Sequence, residues 1–214
     1  MSRIIYVRHG TSLNNVVQQQ VNPILDSPLT EKGMEQATIT ATYLFKHIQD
    51  TKPNIITIIV SPYSRTRDTA KALIRLLVDN NIDYDLKTIM DCREYTPVHK
   101  IISDELSDYI THDADWPSFI NRVIRFNDAL KKETAADKLV IVFSHGLLIS
   151  SLLSYQATQE TYKGYTHYIA FDLKNCSLTF VDYLHKDKDM WRIHCVGNTD
   201  HLGNDILMPA NDHY

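Results

Sequence analysis

Four short β-rich runs punctuate this chain: "RIIYV" (3–7), "IITIIV" (55–60), "YDLKTIM" (84–90) and "KLVIVF" (138–143). Their length and β-branched content predict strands. In "IIV" and "IVF" the apolar residues are consecutive rather than alternating, as in strands covered by helices on both faces. Between the runs the apolar period changes to three and four. Ala37, Ala41, Leu44, Phe45 and Ile48 form one stripe and predict a helix over about 31–49, with Thr30 as its N-cap and Gly33 tolerated in its first turn. Further helices are predicted at about 63–80 and 116–133, and another starts near 146. The alternation gives an α/β fold, a three-layer α/β/α sandwich around a mostly parallel central sheet.

The second half adds strands of another kind. "HYIAFDL" (167–173) and "SLTFVDY" (177–183), separated by "KNC", predict a hairpin-type pair at a sheet edge, and "WRIHCV" (191–196) a further strand. Residues 92–116 show no period and read as a loop or cap with a short helix; residues 203–214 read as a loosely ordered tail. No internal repeat or low-complexity segment interrupts the pattern. A chain of 214 residues is sized for one well-filled α/β domain spanning 1–214.

Charge and cysteine usage narrow the function classes. The net charge of -4, with mixed signs, argues against a nucleic-acid binder, which needs a basic field to displace counterions. Any phosphate bound here is held locally by a few residues. Cys92, Cys176 and Cys195 are odd in number, widely spaced and without a CxxC pair, which fits neither a disulfide framework nor a zinc site. Arg8 arrives too early for a signal-peptide apolar region, and no apolar run approaches a membrane span. The expectation is a cytoplasmic protein with no membrane partner, a monomer or homodimer.

Chemistry-bearing residues collect at the predicted strand ends. "YVRHG" ends in Arg8 and His9, "VSPYSR" carries Arg65, "IMDCRE" carries Arg93 and Glu94, and "VFSHG" carries His145. The carboxyl ends of parallel strands form the binding edge of such a sheet, so two histidines, two or three arginines and a glutamate converge on one crevice. Arginine forks and the start of the helix after "SHG" suit a phosphate dianion. A cation at a helix N-terminus, as Arg65 would be, is favourable only with an anion to meet. A histidine among arginines is biased to its neutral form, and a neutral imidazole facing phosphorus can act as a nucleophile. Glu94 then offers a proton to the leaving alkoxide. Arg67, two positions beyond Arg65, faces elsewhere on the helix.

With these motifs in order, the sequence resembles the histidine phosphatase superfamily, in its phosphoglycerate mutase-like branch. "RHGTSLNN", "DSPLTEKGMEQA", "VSPYSRTRDTA", "CREY", "SHG", "NCSLTFVDY" and "GNTDHL" carry the resemblance over most of the chain. It implies that His9 is phosphorylated and that Arg8, Arg65 and His145 hold the phosphoryl group with Asn15 beside it. Glu94 would be acid and then base, with Asp104 and Glu105 as weaker candidates. The chain departs from the family after the acid, where it runs "REYTPVHKIISDEL" without the usual glycine, so substrate contacts in that loop are not carried over. His99 and Lys100 lie there and are candidates to meet a second anionic group or to be plain surface.

The expected activity is metal-independent hydrolysis of a small phosphorylated metabolite, with no cofactor. The arginines already bring the positive charge that a metal would supply. A mutase that returns the phosphoryl group to another hydroxyl, or a non-catalytic phospholigand-binding module, are the alternatives.

Overall fold

The computed structural model describes residues 2–16, 26–96, 113–134, 138–158, 169–184, 190–204 and 206. Among them six strands form one mixed sheet in the order β3-β2-β4-β1-β5-β6. The strands are β1 (Ser2–Arg8), β2 (Ile55–Val60), β3 (Asp85–Thr88), β4 (Lys138–Ser144), β5 (Leu178–Leu184) and β6 (Met190–Asn198). β3, β2, β4 and β1 run parallel, whereas β5 pairs antiparallel with both β1 and β6.

The consecutive apolar residues of β1 and β4 serve two cores, one on each sheet face. Ile4, Tyr6, Val140 and Val142 pack with Phe119, Val123 and Phe126 of α4 (Trp116–Glu133) and with Leu148 and Leu152 of α5 (Gly146–Thr158). Ile5, Val7, Ile141 and Phe143 pack on the other face with Ala41 and Leu44 of α2 (Glu31–Thr51) and with Ala70, Leu73 and Leu77 of α3 (Ser64–Asp79). Side chains alternate across a strand, so a fully apolar strand signals two covered faces, and the three layers follow. A one-turn helix, α1 (Leu13–Val16), follows the loop after β1.

Two local expectations need correction. The expected hairpin does not form: residues 169–174 are not a strand, and 167–168 lie outside the described residues. Their polar groups are taken elsewhere, since Phe171 N–H donates to Ser150 Oγ and the Leu173 carbonyl accepts from the Arg8 guanidinium. β5 instead fills the place beside β1. The predicted strand 84–90 is shorter, because the chain leaves β3 after Thr88 and enters a 3-10 turn at Met90–Cys92.

Gly33 was expected to be merely tolerated, yet its place is fixed by contact. A Cβ on Gly33 would lie 2.1 Å from the Thr11 carbonyl oxygen, and one on Gly10 would lie 2.5 Å from the Gly33 carbonyl oxygen. The first turn of α2 thus presses backbone to backbone on the loop after His9. Thr30 caps that turn as expected, accepting from Gly33 N–H at 3.0 Å, while its own N–H and hydroxyl donate to the Thr11 carbonyl.

Among the described residues, no helix is long and apolar enough to cross a membrane. The tail beyond 206 and the cap segment 97–112 lie outside the described residues, and with it His99, Lys100, Asp104 and Glu105.

Candidate active site

The sheet register brings the reactive residues together. Arg8 is aligned with Ser144 across the β1–β4 pair, His9 N–H donates to the Ser144 carbonyl at 3.0 Å, and Ser61 N–H donates to the Phe143 carbonyl at 3.1 Å. The carboxyl ends of β1, β4 and β2 therefore stop at one level. His9, His145 and the start of α3 with Arg65 emerge side by side there. All four of Arg8, His9, Arg65 and His145 are buried, with His145 fully inaccessible.

His9 is held in one tautomer. Its Nδ1 lies 2.7 Å from the Gly10 carbonyl, which can only accept, so Nδ1 carries the proton. The lone pair is left on Nε2, where the Arg65 Nε–H donates at 3.2 Å. Burial, then Arg65, then Arg8 push the His9 pKa well below its ordinary value, so the ring is neutral at pH 7. His145 packs edge-on to His9, with ring centroids 5.3 Å apart. Its Nε2 meets Ser61 Oγ at 2.7 Å, and its Nδ1 is buried with no partner among the described residues. Burial is again the largest cause of its lowered pKa, followed by Arg65, His9, Arg122 and Arg8.

Arg65 lies over the Tyr63 ring, 4.6 Å from its centroid, in the first turn of α3. Tyr63, at the N-cap, gives no side-chain cap. Asp26 supplies one from a distance, accepting from Ser64 N–H at 2.6 Å and from Ser64 Oγ at 2.8 Å. Gly146 explains the glycine of "SHG": a Cβ there would sit 3.2 Å from Arg8 Nε, so the bare backbone lets Arg8 lie against the start of α5. Arg67 is exposed.

Glu94 reaches the same edge from the segment after the 3-10 turn. One carboxylate oxygen accepts from Tyr95 N–H at 2.9 Å and the other from Leu147 N–H at 3.4 Å, in the first turn of α5. It is also the leading charge acting on Arg65. Arg93, grouped with Arg65 on sequence grounds, is turned another way, donating to the Met90 carbonyl and lying 3.6 Å from Asp113.

Asn15 is set by its amide oxygen. Oδ1 accepts from Ser12 N–H and Ser12 Oγ, both at 3.0 Å, and from Asn175 Nδ2 at 3.3 Å. Because a backbone N–H must meet an oxygen, this fixes the amide orientation and leaves Nδ2 as Asn15's donor. Asn175 also donates to the His9 carbonyl at 2.9 Å. Thr69 Oγ1 of α3 accepts from Gly10 N–H at 3.0 Å. Sequence reasoning missed Ser61, Thr69, Asp26 and Asn175 as site residues. All four stood inside quoted motifs, Ser61 and Thr69 in "VSPYSRTRDTA", Asp26 in "DSPLTEKGMEQA" and Asn175 in "NCSLTFVDY", but nothing in their spacing marked a partner.

The site thus gathers arginine donors around one uncharged imidazole nitrogen. Among the described residues, no group of three His, Cys, Asp or Glu side chains is placed to hold a metal ion. The sequence profile described as histidine phosphatase superfamily (branch 1) matches residues 4–199. The chain belongs to that superfamily. Membership of the family supports a phosphoric monoester hydrolase.

Solved structures with the same fold include a histidine-to-alanine mutant of phosphoserine phosphatase from Entamoeba histolytica in complex with phosphoserine. It shares 21% identity at a TM-score of 0.63, over 94% of this chain and 100% of that one. The ecdysone phosphate phosphatase of Bombix mori, in complex with tungstate, shares 14% identity at a TM-score of 0.56, over 100% of this chain and 96% of that one. No curated protein matches the sequence.

Proposed function

We propose that this histidine phosphatase hydrolyses a phosphomonoester of a small metabolite through a phosphohistidine on His9, without a metal. The observation that carries the reading is the state of His9: a neutral ring, protonated on Nδ1, whose Nε2 lone pair lies beside the Arg65 guanidinium. In the first step Nε2 bonds to phosphorus and the P–O ester bond breaks. The leaving alkoxide takes a proton from the Glu94 carboxyl. Arg8, Arg65, Asn15 and a His145 N–H stabilise charge on the equatorial oxygens. In the tautomer whose Nε2 accepts from Ser61 Oγ, His145 carries its proton on Nδ1 and can donate it to a phosphoryl oxygen. In the second step water attacks phosphorus, gives a proton to Glu94, and the P–N bond breaks to return neutral His9 and inorganic phosphate.

The substrate is proposed as a small phosphorylated molecule rather than nucleic acid or membrane. The phosphatases among the structural relatives support a monoester. Phosphate release from a panel of phosphorylated metabolites, in EDTA, tests this with wild type and His9→Ala. Selective turnover that disappears in His9→Ala, with an acid-labile phosphoenzyme trapped in the wild type, is expected. Transfer of the phosphoryl group to an added acceptor in place of water would make it a mutase, and binding without turnover a phospholigand module.

A further inference from the structure

Arg122 lies far from Arg8 and Arg65 in sequence and on a different helix, yet its guanidinium closes on the segment that carries Glu94. It is 1% exposed in the middle of α4. Nε donates to Asp113 Oδ1 at 2.9 Å and one NH2 hydrogen to Asp113 Oδ2 at 2.6 Å, a two-pronged pair. NH1 donates to the carbonyls of Asp91 at 2.9 Å and Arg93 at 2.7 Å, and NH2 to the Glu94 carbonyl at 3.2 Å. A guanidinium has five N–H donors, and these are five acceptors. Three belong to the backbone of the acid's own segment.

The other acceptor group, Asp113, stands where the chain returns from the segment 97–112. Asp113 N–H donates to the Thr96 carbonyl at 3.2 Å, so the two stems of that segment are joined at their base. From the opposite side Tyr63 OH meets Thr96 Oγ1 at 3.1 Å, and Ser144 Oγ donates to the Cys92 carbonyl at 2.6 Å. Arg122 therefore sets the Glu94 backbone and the returning stem together, while Leu147 N–H sets the Glu94 carboxylate. A structural ion pair with Asp113 alone would use two of the five donors. The remaining three have no purpose in pairing helix to loop except to fix residues 91–94.

We propose that Arg122 is a positioning residue for proton transfer, holding the Glu94 peptide so that its carboxyl meets the leaving group. The proposal rests on the reading of Glu94 as the acid. Lysine has three donors and no fork, so it cannot reproduce the grip.

The test compares kcat/KM, which reports the phosphorylation step, for p-nitrophenyl phosphate and for an alkyl phosphate that the wild type turns over. A nitrophenolate leaves without a proton, whereas an alkoxide needs one. Arg122→Lys and Arg122→Met are expected to lower the alkyl value by about 10- to 100-fold and the aryl value by less than about 3-fold, the same pattern as Glu94→Gln. Asp113→Asn, which keeps the shape of the pair, is expected to show the pattern more weakly and decides the matter where an Arg122 variant does not fold. Equal losses on both esters, or no loss, overturn the proposal. A selective Glu94→Gln beside unselective Arg122 and Asp113 variants overturns it and leaves the acid in place. An unselective Glu94→Gln refutes the acid itself. Wild type that turns over neither p-nitrophenyl phosphate nor any alkyl phosphate of the metabolite panel refutes the phosphatase reading and the role of Arg122 with it.

Discussion

Gly33→Ala separates the structure from the rules of an isolated helix. Gly33 is the third residue of α2, where alanine is ordinarily better than glycine by about 1 kcal/mol. Here the added methyl would lie 2.1 Å from the Thr11 carbonyl oxygen and within 3.0 Å of the Thr11 carbon and nitrogen. All three neighbours are backbone, so no side chain can swing aside. The helix start and the loop after His9 must part by about 1 Å to reach ordinary contact. That movement strains the two bonds from Thr30 to the Thr11 carbonyl, at 2.9 and 3.1 Å, each worth about 1 kcal/mol. Overpacking adds roughly 1–3 kcal/mol.

After the propensity gain is subtracted, the variant is expected to be about 1–4 kcal/mol less stable, a fall in Tm of roughly 3–15 °C for a chain of this size. Urea denaturation read by circular dichroism gives the difference directly. Activity should fall as well, because Gly10 packs on the Gly33 carbonyl and His9 precedes it; a displacement near 1 Å at a reacting group costs on the order of 100-fold. A variant as stable as the wild type, or more stable, would refute the backbone contact and the account of why α2 begins where it does.

Three further outcomes follow from the same geometry. Both His9 and His145 are pushed below their ordinary 6.5, chiefly by burial. The unfolded chain therefore takes up protons near pH 6.5 that the folded one refuses, and stability should fall between about pH 7 and 5.5; a flat urea midpoint over that window contradicts the shifts. Inorganic phosphate at a hundred times its Kd should raise stability by about 2.7 kcal/mol, and Arg65→Ala should abolish the effect in a thermal-shift titration. Ser61→Ala strips His145 Nε2 of its 2.7 Å partner and should cost about 1–3 kcal/mol with roughly a tenfold loss of kcat, whereas an unchanged rate would remove Ser61 from the site.

Sequence patterning captured the parts of this fold that repeat. Strands buried on both faces wrote themselves as apolar runs, and the strand-end residues Arg8, His9, Arg65 and His145 met because adjacent parallel strands end at one level. The failures share another cause. Residues 169–174 are as apolar as a strand, but the Leu173 carbonyl serves Arg8, and no local pattern reveals a carbonyl spent on a distant side chain. Gly33 looked like a tolerated helix residue because its reason, the Thr11 carbonyl, is 22 positions away. Asn15, drawn from the resemblance, is oriented by Ser12 close by, and its further contact with Asn175, 160 residues distant, is one that spacing cannot encode.

Arginine identity shows the same limit and permits a sharp test. On sequence, Arg65 and Arg93 share a place, each following a predicted strand, and only the resemblance singles out Arg65. In the structure Arg65 donates to His9 Nε2, whereas Arg93 donates to the Met90 carbonyl and faces Asp113, the carboxylate that Arg122 also grips. Arg65→Gln should therefore lose the stabilisation by inorganic phosphate and let the His9 pKa rise toward its ordinary value, because a positive neighbour has gone. Arg93→Gln should keep both the phosphate response and the His9 titration, and show its effect as lower stability, since Asp113 would lose one of its two cations. Histidine NMR titrations and thermal-shift curves on the two variants read this directly. Loss of phosphate binding in Arg93→Gln would make it a third phosphate arginine and redraw the pocket.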